Sequence, residues 1–162
     1  MTATYEAIAT TTLGSASGTV TFSSIPATYT DLVIVAWFKS TDGSDLICQF
    51  NGDTATNYSW TRLTGDGSSA VTSRSSNTGN IRLTVAAYAD STASFVLASV
   101  QNYSNSTTYK TVLSRANQVE QGVEAITGLW RSTSAITSID LKSSPNTFNS
   151  GSTFTLYGIK AE

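Results

Sequence analysis

Histidine is absent from this 162-residue chain, cysteine and methionine occur once each, and proline occurs only twice. Each scarcity excludes something. Without His the chain lacks the commonest general base and the commonest metal ligand. The single Cys48 cannot form an internal disulfide, so no oxidising compartment is implied. Set in an apolar run, it reads as a buried, inert thiol. Charge is sparse as well, with 9 Lys+Arg against 11 Asp+Glu, a net charge of -2 and a pI near 5.0. That balance gives no electrostatic footprint for nucleic acid or an anionic membrane. The opening residues, Met-Thr-Ala-Thr-Tyr-Glu, form neither a basic n-region nor an apolar h-region, so a soluble protein without a classical export signal is expected. No Gly-x-Ser-x-Gly elbow, phosphate loop or Cys-x-x-Cys pair is present.

What is abundant is Ser and Thr, 52 of 162 residues, together with Val, Tyr, Trp and Phe. Low charge with many β-branched and aromatic residues is a strand-forming composition rather than a disordered one. The stretch Asp31 to Lys39 holds seven consecutive apolar residues, Leu32 to Phe38, too few for a membrane span and without a helical stripe. Its unbroken apolarity predicts a strand covered on both faces, either at the centre of a sandwich or against another chain. Along the chain, alternating segments follow one another: Tyr5 to Ala9, Thr19 to Phe22, Leu46 to Phe50, Tyr58 to Leu63, Ile81 to Val85, Phe95 to Tyr103, Tyr109 to Ala116, Val123 to Arg131 and Phe154 to Ile159. Asp42-Gly43, Asn51-Gly52 and Asp66-Gly67 punctuate them as turns. Residues 64 to 80, nearly all Ser, Thr, Gly and Asn, are expected to be a mobile loop. In Ala135 to Leu141 the apolar phase slips between Ile136 and Ile139, which predicts a bulge. Nine to eleven short strands without a dividing linker predict one all-β domain over residues 1–162, an antiparallel sandwich or barrel.

Carboxylate pairs are the one route left to hydrolysis, since cleaving a glycoside needs only two acids across the sugar bond. Asp42 with Asp45, Asp53 with Asp66, and Glu120 with Glu124 are the candidates. All lie at turns or strand ends, where Asp binds its own backbone, so they are read as turn residues. No enzyme activity, cofactor or metal is expected; Asp42-Gly-Ser-Asp45 lacks the ligand spacing of a dedicated calcium loop. The aromatic residues offer more. Trp37, in the apolar run, is assigned to the core. Tyr58 and Trp60, beside the polar stretch, are candidates for contact with a partner or a glycan. Trp130 next to Arg131 could be a stacked pair at a subunit contact.

Several segments are distinctive as a set. These are Ile25-Pro-Ala-Thr-Tyr-Thr-Asp-Leu32, Phe50-Asn-Gly-Asp53 with Asn57-Tyr58, and Asn102-Tyr-Ser104 with Tyr109-Lys110. Gly128-Leu-Trp-Arg-Ser-Thr-Ser-Ala-Ile-Thr-Ser-Ile139 and Gly151-Ser-Thr-Phe-Thr-Leu-Tyr-Gly-Ile159 complete it. Together, over nearly the whole chain, they resemble a recurrent family of tailed-phage virion proteins, found both as small stand-alone proteins and at the ends of longer tail proteins. The resemblance implies a β-sandwich of jelly-roll order, with an immunoglobulin-like sandwich as the alternative. It implies a structural or attachment role, and it carries over no catalytic residues. The expected role is a capsid decoration (cement) protein on the virion surface, bound to the major capsid protein or another virion protein. The alternative is a tail-fibre or tail-tip module that recognises host surface glycans. A homo-oligomer is expected because Asp31 to Lys39 and the last strand carry large apolar groups on opposite faces, whereas a sandwich needs one buried face per sheet. Three copies are preferred from the setting on a viral lattice, not from any residue.

Overall fold

The computed structural model describes residues 4–40, 44–84, 92–120 and 122–160. Twelve strands and no helix run through them: β1 (Tyr5–Thr12), β2 (Thr19–Phe22), β3 (Asp31–Phe38), β4 (Asp45–Phe50), β5 (Tyr58–Gly65), β6 (Ala70–Thr78), β7 (Ile81–Thr84), β8 (Ser94–Gln101), β9 (Lys110–Gln118), β10 (Gly122–Trp130), β11 (Ile139–Ser144) and β12 (Thr153–Ile159). They form two antiparallel sheets packed as a sandwich, one in the order β1-β12-β3-β8-β9-β10-β5-β6 and the other β2-β11-β4-β7. The expected antiparallel β-sandwich is therefore what the chain adopts. The Asp42-Gly43 turn, together with Val85 and Tyr88, lies outside the described residues.

The pairing explains the order. β1 pairs with β12, β2 with β11, β3 with β8 and β4 with β7. Eight strands thus behave as one long antiparallel ribbon, folded back on itself and rolled so that successive strands alternate between sheets. That is the double Greek-key order of a jelly roll. The remaining four strands are two hairpins, β5–β6 and β9–β10, which extend the larger sheet beyond β8 in the order β9-β10-β5-β6.

Alternation decides which side chains meet between the sheets. Leu32, Ile34, Ala36 and Phe38 of β3, Val96, Ala98 and Val100 of β8, and Phe154 and Leu156 of β12 face Val20, Phe22, Leu46, Cys48, Phe50, Ile81, Leu83, Ile139 and Leu141 of the smaller sheet, all in one buried cluster. Cys48 is fully buried, as expected, and burial pushes its thiol far above the usual range. Tyr29 covers one end of this core, lying on Gly158, where a Cβ would stand only 2.3 Å from its ring. Tyr103 closes the same end: its hydroxyl donates to the Pro26 carbonyl and accepts from the Tyr29 amide. Where β7 crosses the extension, the facing residues are small. Gly128 lets β7 approach so closely that a Cβ there would lie 2.4 Å from Ile81 Cγ2, and Ser114 Oγ donates to the Leu83 carbonyl at 2.7 Å.

Three expectations are corrected. Trp37 is not core: it is 47% exposed, because strand phase gives the inner face to Leu32, Ile34, Ala36 and Phe38 and puts Val33, Val35 and Trp37 on the outer side, where Val33 is still buried, Val35 half-buried and Trp37 exposed. An all-apolar run hides that phase. Residues 64 to 80 are not an open loop but a hairpin with a four-residue turn, in which Asp66 accepts from the amides of Ser68 and Ser69 at 2.8 and 2.6 Å. A polar edge strand needs only its backbone ladder to one neighbour, so no apolar alternation marks it. The third correction concerns the phase slip at Ile136, which is not a bulge. β11 begins at Ile139, and residues 132–138 are irregular chain tied down by the Ile136 amide to the Tyr103 carbonyl and by Asn51.

Candidate interaction surface

The four residues singled out for partner contact are brought together, but mostly inside. Tyr58 and Trp130 are fully or almost fully buried and stack at 6.1 Å, with Phe50 against both rings. Trp130 Nε1 donates to Asp53 Oδ2 at 2.7 Å, and Asn57 Nδ2 donates to the same oxygen at 2.9 Å. The Tyr58 hydroxyl accepts from the Phe50 amide at 3.1 Å and donates to the Asp53 carbonyl at 3.0 Å. Trp60 is buried under the guanidinium of Arg82, 5.1 Å from the ring centroid. Arg131 does not stack on Trp130; it bonds the Thr56 carbonyl and Asn77 Oδ1, each at 2.9 Å. These groups pin the β4–β5 connection to β10 and enclose the rings of Tyr58 and Trp130, while Trp60 lies along the wall of a hollow on the outer face.

The acids are similarly occupied. Asp53 is held below the usual carboxylate range because the hydrogen bonds from Asn57, Trp130 and the Ala55 amide outweigh the effect of burial. Asp66 is held low by the amides and hydroxyls of Ser69 and Ser68. Glu124 is buried on the inner face of β10, where it accepts from Thr84 at 2.7 Å, from Thr64 at 3.2 Å and from Arg62 at 3.4 Å, while Glu120 sits on the exposed β9–β10 turn. Asp45 pairs with Arg82 at 2.8 Å, yet burial pushes its carboxyl up to about 6 against that pull, with Glu124 adding to the rise. Asp42 lies outside the described residues, and no group of three or more potential metal ligands occurs among those described. Lys110 is buried too, its ammonium donating to the carbonyls of Thr108 and Thr133 at 2.7 and 3.1 Å.

The two outer faces of the sandwich differ in kind. On the smaller sheet Thr21, Asp140 and Gln49 stand in one row and Thr19, Lys142 and Ile47 in the next. Thr21 donates to Asp140 at 2.7 Å and Lys142 to Gln49 at 2.6 Å, a polar network suited to water. The larger sheet carries an apolar area on its outer face. Trp37, Phe95, Asn117 and Val123 form one cross-strand row, followed by Val35, Leu97, Arg115, Ala125 and Leu63. Phe95, Leu63 and Val123 are 39%, 51% and 62% exposed. Between them runs a groove of about 650 Å³, its walls formed by Leu63, Phe95, Leu97, Val123 and Ala125 with Arg115 between.

No protein-family model matches this chain, and no curated protein matches its sequence. The surface therefore has to be read on its own chemistry. A contiguous apolar area on a sheet face, crossed by a single cation, is suited to another protein surface rather than to turnover of a substrate. Further along the same face a second hollow of about 840 Å³ is lined by the hydroxyl residues Ser59, Thr61, Ser76, Thr111 and Thr127 with Arg74, and by Trp60 and Leu129. Phe95, Leu63 and Val123 are surface residues that the sequence did not single out, and Trp37 beside them was expected in the core. Their signal was present in strands with large apolar groups on both alternating faces, but it gave no means of saying which face lies inward.

Proposed function

We propose that this protein is a structural component of a tailed-phage virion, a capsid decoration protein that works as an assembly of identical copies seated on the head lattice. The observation that carries the reading is the unequal dressing of the sandwich. One outer face is hydrogen-bonded and polar, while the other, built on β3, β8, β9, β10 and β5, is apolar over several strands. A rolled sandwich with a polar outer face on one side and an apolar area on the other is suited to holding other subunits. The occupied state of the acids is in keeping with a non-catalytic role. Antibody labelling of purified virions tests it: signal distributed over the head is expected, and signal confined to the tail end overturns it.

The second reading, a tail-fibre or tail-tip module that binds host surface glycans, draws on the hydroxyl-lined hollow around Thr61, Arg74 and Thr127. It predicts glycan-array binding that Arg74→Ala and Thr127→Val abolish. Absence of any glycan binding by the intact protein removes it.

A further inference from the structure

We infer that the outer face of the eight-stranded sheet binds a second copy of this chain about a two-fold axis, so that the Val119–Glu120 turn of each copy covers the apolar groove of the other and Glu120 meets Arg115 of the second copy. This deepens the proposed assembly of copies and rests on that reading. Four observations carry it.

The first is area. Trp37, Leu63, Phe95, Leu113 and Val123 together leave on the order of 500 Å² exposed on one face, in the upper part of the ~300–600 Å² range where the largest patch of a monomer is often functional, and a large share of the ~800 Å² each partner contributes to a standard interface. A second observation is the knob beside the groove. Val119, at the tip of the β9–β10 turn, is 81% exposed, which an isolated chain gains nothing from.

Charge supplies the third. Arg115 sits within an apolar groove and Glu120 on the turn, and neither is among the ion pairs of the described residues. Within one chain they are not side-by-side neighbours, since four residues of strand and turn lie between them, about 16 Å along the chain at 3.3 Å per residue.

The fourth is register. Trp37, Phe95, Asn117 and Val123 define a row across four strands. Arg115 lies two residues to one side of that row along β9, and Val119 two residues to the other. A two-fold axis along the row therefore carries Arg115 of each copy onto the Val119–Glu120 turn of the other, while Trp37, Phe95 and Val123 meet their own counterparts. The strands of the two faces then run aligned, the usual arrangement for sheets packed about 10 Å apart. Three copies, preferred earlier from a lattice setting, have no such residue pattern behind them.

Sedimentation of the full chain across the micromolar range tests this. A monomer–dimer equilibrium is expected, with Arg115→Glu and Glu120→Arg each raising the dissociation constant by about tenfold or more and the double swap recovering most of that loss. Thr19→Glu, on the polar outer face of the smaller sheet, should leave it unchanged. A monomer at every concentration, a trimer, or a dimer indifferent to both single substitutions overturns the proposal. Should a charge variant fail to fold, Val119→Cys combined with Ala125→Cys decides. Oxidation is expected to link two chains, since the two positions are too far apart within one chain for a disulfide, and a product that stays single-chain overturns the contact. Either failure concerns this face alone, because virion labelling reads the location of the protein whatever its copy number.

Discussion

At the scale of single residues, Asp53 does more than its position suggests. The Phe50-Asn-Gly-Asp53 segment is legible in the sequence as a turn, because Asn51 and Gly52 accept the left-handed backbone it needs, with φ of 53° and 67°. Nothing in the sequence says that the Asp53 carboxylate also takes the indole N–H of Trp130, 77 positions away. Asp53→Ala leaves that donor and the Asn57 amide without their acceptor, and about 2 kcal/mol of stability should be lost in urea unfolding. A loss below a few tenths would mean the cluster is held by ring packing alone. Asp45 makes a prediction of the other sign. Its folded pKa is raised by burial to about 6, so the native state holds that proton more tightly than the unfolded chain. The stabilisation is complete below the unfolded value near 3.9 and is lost as pH rises through about 6. Asp45→Asn removes this dependence. Between pH 4 and 7 the variant should gain on the wild type by on the order of 2 kcal/mol, read from unfolding at each pH. Parallel curves would show that Arg82 already compensates the buried charge.

At the scale of elements, strand existence was largely readable and strand orientation was not. Eleven of the twelve strands coincide with alternating or apolar segments; β6 alone escaped, since a polar edge strand carries no period to detect. The apolar run of β3, expected to be covered on both faces, is an interior strand of the larger sheet whose outer side leaves Trp37 exposed; with seven apolar residues in sequence either phase fits, and Trp37 was assigned to the wrong face. Close approaches between layers are equally hidden, because a glycine in a strand looks the same whether it faces water or a neighbour. Gly128 faces Ile81, and Gly128→Ala would force a methyl group to 2.4 Å from Ile81 Cγ2. Overpacking of this kind costs about 1–3 kcal/mol. Combining it with Ile81→Ala should recover part of the loss, giving a coupling energy that thermal or urea unfolding of the four-member cycle reads directly. Additive effects would mean that the two layers separate freely at β7.

At the scale of the whole molecule, the jelly roll and its four-strand extension should differ in how they open. The roll is closed by pairings between distant strands, β1 with β12 and β3 with β8, over a core that includes Phe38, Phe148 and Phe154 in mutual ring contact. The extension has the smaller sheet's β7 beneath it and ends in β6, whose side chains are exposed or half-buried throughout. Local opening is governed by buried apolar contact, so amides of β3, β8 and β12 should exchange at the rate of global unfolding, and those of β6 orders of magnitude sooner. Hydrogen exchange followed by mass spectrometry resolves the two. The same measurement distinguishes two ways in which copies could meet. If they associate through the outer sheet face, dilution to monomer should speed exchange at the β9–β10 turn, whose tip is covered, and leave β6 as it was. If instead the free β6 edge pairs with another chain, its amides are protected at high concentration and lose that protection on dilution. An edge so long, so polar and so free of Pro is chemically able to add a strand; what argues against it is that β6 offers only Val71 as a large apolar side chain to hold the added chain in register.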